Sequence, residues 1–115
     1  MGEIQIGQGI RQGDVLLRRI GALPKNVQRH KVDSGRIVVE YGEVTGHAHV
    51  LDPLAVEGYD ILDEARMVVG QAFVVLADTE LRHDEHGPIT LDRGTIWERW
   101  YQVEDDGEEE RRVRD

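Results

Sequence analysis

The chain has no cysteine among its 115 residues. Disulfides and thiolate metal sites are therefore excluded, and any metal must be held by imidazole, carboxylate or water. No apolar run approaches the roughly 20 residues that a membrane-spanning helix needs. Met1-Gly2-Glu3-Ile4-Gln5 shows no basic region followed by an apolar stretch, so it is not a signal peptide. A cytoplasmic protein without membrane contact is the expectation. Serine occurs once, as Ser34 in a polar loop, where it reads as a turn residue. No serine or cysteine nucleophile is left in a recognisable turn. A nucleotide site is not expected either, because Gly7-Gln8-Gly9 lacks the lysine and helix that a phosphate-cradling loop requires. Sustained apolar periodicity of 3.6 residues is also missing.

What the chain does have is short β-type segments separated by turn signals. Val15 to Ile20, Arg36 to Tyr41, Val44 to Leu51, Gly58 to Leu62, Arg66 to Val69, Ala72 to Leu76, Thr79 to His83, Ile89 to Leu91 and Thr95 to Val103 read as strands. Gln12-Gly13-Asp14, Asp63-Glu64-Ala65, Gly70-Gln71 and Asp92-Arg93-Gly94 read as the turns between them. An all-β single domain, a small barrel or sandwich, follows from strands at this spacing. Residues 1–11 read as a flexible lead-in with a short edge strand at Ile4-Gln5-Ile6, residues 12–103 as the β domain and 104–115 as a charged tail. Gly21 to Ser34 reads as a surface loop. In the tail, Glu108 with Arg112 and Glu110 with Arg114 stand at i,i+4 spacing, which predicts either a short solvated helix or disorder.

Net charge is −9, which opposes non-specific binding to nucleic acid. The distribution is uneven, with a local balance of +5 over residues 11–36 and −13 over 37–115. Trp97, Trp100 and Tyr101 close the domain and read as core packing, with a partner or homo-oligomer contact as the alternative.

Four of the five histidines fall in two windows, Gly42-Glu43-Val44-Thr45-Gly46-His47-Ala48-His49-Val50-Leu51 and Leu81-Arg82-His83-Asp84-Glu85-His86-Gly87-Pro88. His47 and His49 share a strand face, about 7 Å apart at the backbone. Val44, Gly46, Ala48 and Val50 read as the core face, which turns Thr45, His47, His49 and Leu51 to solvent or a cleft. If the second window lies alongside, His83 and His86 complete a four-histidine set, with Glu85 as substitute ligand or general base. The expected metal ligands are His47, His49, His83 and His86. The expected catalytic groups are Glu85 and His86. Neutral imidazoles suit a divalent transition metal such as Zn, Mn, Fe or Ni. Proton transfer without metal, pairing a histidine with Glu43, Asp84 or Glu85, is the second chemistry this set allows.

Gly-Asp-Val-Leu-Leu, Gly-Glu-Val-Thr-Gly-His-Ala-His and His-Asp-Glu-His-Gly-Pro-Ile-x-Leu together resemble a family of small uncharacterised bacterial and phage-borne proteins, over roughly residues 12–103. The His47-x-His49 pair with a later histidine also resembles the cupins, metal-binding β-barrels. No glutamate follows His49 at the cupin spacing, because Glu57 lies beyond Pro53. The expectation is thus a metal-binding β domain acting on a small-molecule substrate, such as a metal-dependent hydrolase. The alternative is a non-enzymatic module, phage- or mobile-element-associated, that holds a partner through the 11–36 region or the C-terminal aromatics.

Overall fold

A computed structural model describes residues 4–41, 47–105 and 110–113. Strand β1 (Gly9–Gln12) turns through Gly13-Asp14 into β2 (Val15–Ile20). Gly13 has φ 58°, the left-handed conformation that a glycine at the first position of a two-residue hairpin loop supplies. Along β2, Val15 and Leu17 are fully buried while Leu16 and Arg18 are exposed, the period of two expected of a strand with one wet face.

The first sheet has six strands in the order β1-β2-β10-β7-β6-β3, all antiparallel. Here β3 is Val27–Arg29, β6 is Val56–Leu62, β7 is Val68–Val75 and β10 is Ile96–Trp100. The second layer is built from two pairs, β4 (Ile37–Tyr41) with β5 (Ala48–Leu51) and β8 (Thr79–Leu81) with β9 (Ile89–Leu91). Val50 and Arg82 join the pairs through reciprocal N–H···O=C bonds of 2.9 and 3.0 Å. Val15, Leu17, Val56, Phe73, Val75 and Trp97 from the first sheet meet Ile37, Val39, Leu51, Leu81 and Leu91 from the second in one apolar cluster. Burying each large side chain of this kind stabilises the fold by about 1.5–3 kcal/mol.

One polar arrangement crosses this core. A register shift between Val38 and Glu40 marks a β-bulge, after which Glu40 stands opposite His49. Directly opposed residues share a face of the sheet, so the bulge brings the Glu40 carboxylate to the side of His49. Arg99 from β10, only 2% exposed, donates to the Val39 carbonyl at 2.8 Å and to the Glu40 carboxylate at 3.1 Å. The two layers are thereby tied together beside His49.

The all-β class is as the strand pattern predicts, but the sheets do not close into a barrel: β1 and β3 are open edges of the first sheet. Residues 4–8 form no strand, and the edge strand is instead Gly9–Gln12. The 21–34 segment contains β3, held to β6. Gly70-Gln71 is not a turn, because β7 runs straight through it. A Cβ at Gly70 would stand 2.4 Å from the Arg99 carbonyl oxygen, so this glycine permits a close approach of two strands. The final strand stops at Trp100 and resumes after Tyr101 as β11 (Gln102–Asp105), which pairs with β12 (Glu110–Val113). A β pairing thus replaces the helix or disorder expected of the tail. Trp97 is buried as expected of core, whereas Trp100 is half exposed.

Candidate functional site

β5 carries His49 inward beside Leu51, and both are buried. The expected faces hold only in part. His49 and Leu51 turn to the core where solvent or a cleft is expected, Ala48 is buried as expected, and Val50 is only partly buried and lines an outer cleft; Val44, Thr45 and Gly46 lie outside the described residues. The neighbour that makes a buried imidazole tolerable is Gln12. Its Nε2 donates to the carbonyls of Leu81 (2.9 Å) and Gly87 (2.8 Å), and its Oε1 lies 2.9 Å from His49 Nδ1. With both amide hydrogens spent on carbonyls, Oε1 can only accept, so His49 carries its proton on Nδ1. Among the described residues its Nε2 has no hydrogen-bond partner, so that lone pair is left for another group. Burial first, then the charges of His83, His86 and Arg99, push the His49 pKa down to about 4, against a smaller opposing effect of Asp14. At neutral pH His49 is an uncharged acceptor.

The second window reaches the same place. The His83 ring centroid lies 4.3 Å from that of His49, 4.7 Å from His86 and 6.1 Å from His47. His49 and His86 are stacked at 6.1 Å, 12° from parallel. The chain bends at Asp84, and the Glu85 N–H donates to His83 Nδ1 at 3.1 Å. The Glu85 carboxylate pairs with His47 Nδ1. His86 is exposed and lies over Gly13, where a Cβ would come within 2.6 Å of its Nε2. All four expected metal ligands are thus in ring contact with at least one other, and Glu85 touches His47.

Among the described residues no three His, Asp or Glu side chains are already placed to hold an ion. The reason is visible in the ring geometry. His83 is tilted over His49, and His86 over His83, so faces meet where a metal would require nitrogens to converge. His30 stands apart from this group, 2.6 Å from Asp60 through Nδ1. Ser34, at φ 54°, is a turn residue as expected. Glu43 and Thr45 lie outside the described residues.

A cleft of about 460 Å³ adjoins the histidines, with Arg36, Val50, Arg82, His83, Asp84 and Pro88 among its walls. His83 belongs to both the cleft and the ring group. The sequence pattern did not single out Gln12, Asp14 or Arg99 as site residues. The one available signal was a polar Gln12 at the end of β1, where an inward position needs hydrogen-bond partners.

The chain belongs to the family described as Domain of unknown function (DUF8820), whose model matches residues 11–102. No curated protein and no solved structure matches it.

Proposed function

We propose that His47, His49, His83 and His86 bind one divalent transition metal ion, and that the ion serves hydrolytic chemistry on a small molecule in the adjoining cleft. The observation that carries this reading is the Gln12–His49 bond. A buried imidazole with Nδ1 donated to a fixed acceptor and Nε2 free is the arrangement by which proteins orient a metal-ligating histidine. His47 has the same polarity, with Nδ1 on the Glu85 carboxylate. His83 accepts the Glu85 N–H at Nδ1. Either nitrogen would ligate only once that bond opens: Nδ1 directly, or Nε2 after its proton moves to Nδ1. Binding reorients the rings of His83 and His86, which stand on the exposed bend at 83–86. The neutral state that burial and the charges of His83 and His86 impose on His49 is also the state in which an imidazole ligates a metal. When bound, such an ion would polarise a carbonyl or phosphoryl group or activate water. Glu85, exposed and beside His47, would serve as the general base. A cytoplasmic setting is part of the same reading.

A second reading, proton transfer without metal, draws on the His47–Glu85 pair. Titration with Zn, Mn, Fe, Ni and Cu separates the two. The metal reading predicts saturable one-to-one binding that is abolished in His47→Ala/His49→Ala with the fold retained. No binding of any of these ions by the native protein contradicts it.

A further inference from the structure

Two side chains have no part in the histidine site, Arg11 of the basic segment and Trp100 of the C-terminal aromatics, and the fold brings them to one face. Trp100 at the end of β10 is 50% exposed, and Leu16 on β2 is 44% exposed. The β2–β10 register pairs Glu98 with Arg18, and continuing it by two residues sets Trp100 level with Leu16. Leu16 in turn pairs with Arg11 on β1. A row Arg11–Leu16–Trp100 therefore runs across three strands on the outer face. Strand spacing puts Arg11 and Trp100 about 10 Å apart at the backbone. A concavity of about 390 Å³ lies here, lined by these three with Asp14, Arg18, Glu98 and Arg99.

The charges in this concavity sort into pairs with two left over. Arg18 is held by the buried Glu98 carboxylate, its Nε donating at 2.9 Å. Arg99 is held by Glu40. Arg11 and Asp14, both exposed, make no side-chain hydrogen bond or ion pair among the described residues. The result is one available cation and one available anion beside a half-exposed indole. We infer that this concavity binds a small zwitterion carrying a flat apolar ring, of the chemistry of an aromatic amino acid. The ring stacks on Trp100 over Leu16, the carboxylate pairs with Arg11, and the ammonium faces Asp14. A purely anionic ligand is disfavoured by Asp14 and a purely cationic one by Arg11. Asp14 is the shared element, since its charge also bears on His49, but no histidine lines the concavity and its ligand does not depend on the metal reading.

The protein has two tryptophans, Trp97 and Trp100, of which only Trp100 is exposed, so tryptophan fluorescence reports on this concavity directly. Phenylalanine, phenylacetate and phenethylamine, none of which absorbs at the tryptophan excitation edge, are titrated into the full-length protein. Phenylalanine should change the emission in a saturable way at lower concentration than either single-charge analogue, and Trp100→Phe should abolish that response. Arg11→Gln should weaken phenylalanine at least about tenfold, the size of one lost charge-assisted hydrogen bond. Asp14→Asn should weaken phenylalanine but improve phenylacetate. An unchanged urea midpoint confirms that these exposed-site variants fold. The inference is overturned if millimolar phenylalanine leaves the emission unchanged, if Arg11→Gln binds as tightly as the native protein, or if phenylacetate binds as well as phenylalanine. It is also overturned if a short single-stranded oligonucleotide binds instead, with stacking on Trp100.

Discussion

Gly13→Ala separates the histidine site from the fold that carries it. Two effects act at this position. The backbone, at φ 58°, is in the left-handed region, which costs an L-residue about 1–2 kcal/mol. The new Cβ would also stand 2.6 Å from His86 Nε2, 2.9 Å from its Cδ2 and 3.4 Å from His49 Cε1. His86 is exposed and can swing away, so the steric part should fall on ring placement more than on stability. Gly35→Ala is the control, because Gly35 has φ 76° and nothing within 4 Å of its would-be Cβ. Both variants should lose about 1–2 kcal/mol in urea unfolding. Only Gly13→Ala should also lose metal affinity, by about 10–100-fold, the range seen when a ligand's support is removed. In a His86→Ala background the extra penalty of Gly13→Ala should vanish, as a double-mutant cycle requires. The reasoning is refuted if the two glycine variants bind metal alike, or if the cycle shows no coupling.

Gln12→Leu removes three hydrogen bonds and leaves two carbonyls and the His49 N–H without their partner. A loss of about 2–4 kcal/mol in urea unfolding is expected, and less than 1 kcal/mol would contradict the assigned network. Arg99→Met leaves the buried Glu40 carboxylate without its guanidinium, so a loss of about 3–5 kcal/mol should appear in the same assay, with Glu40→Gln/Arg99→Met recovering part of it. The His49 pKa of about 4 also makes metal-free stability depend on pH. The unfolded chain takes up this proton near pH 6.5 and the folded one only near pH 4. The contribution is therefore fully present above pH 6.5 and is lost as pH falls towards 4, with no further loss below. It amounts to on the order of 2–3 kcal/mol for a group that retains some contact with water. Urea midpoints at pH 7 and pH 4.5 should differ less in His49→Gln than in the native chain, and equal differences would rule this term out.

The class of fold was legible because strand alternation is a local property. Val15 to Ile20 was read with the bounds it has, and Ile89 to Leu91 likewise. What failed was whatever a distant strand decides. Gly70 carries the signature of a turn, yet its role is to admit the backbone at Arg99, which is remote in sequence. Ala48 and Val50 look more apolar than His49, so the inward turn of His49 does not show in the pattern of β5. Gln12 and its two carbonyl acceptors make the inward imidazole affordable, and that support comes from β1 and from the chain around Leu81 and Gly87. Barrel and sandwich share the same alternation, so only the open edges at β1 and β3 distinguish them. In the tail, i,i+4 charge spacing points to a helix, whereas β11 pairs with β12. At the site, strand spacing places His47 with His49, but the meeting of the two windows rests on the Val50–Arg82 bridge between distant strands. The protonation pattern of the rings does not follow from spacing either, because it depends on hydrogen bonds from Gln12, Glu85 and the main chain.

The central claim is that the gathered imidazoles are metal ligands. Elemental analysis by mass spectrometry of untagged protein, purified without chelator beside His47→Ala/His49→Ala, tests it most directly. The account predicts close to one equivalent of a transition metal in the native protein and a background level in the double variant. A background level in both, with no uptake on reconstitution, would contradict it and leave the histidines as proton-transfer or packing groups.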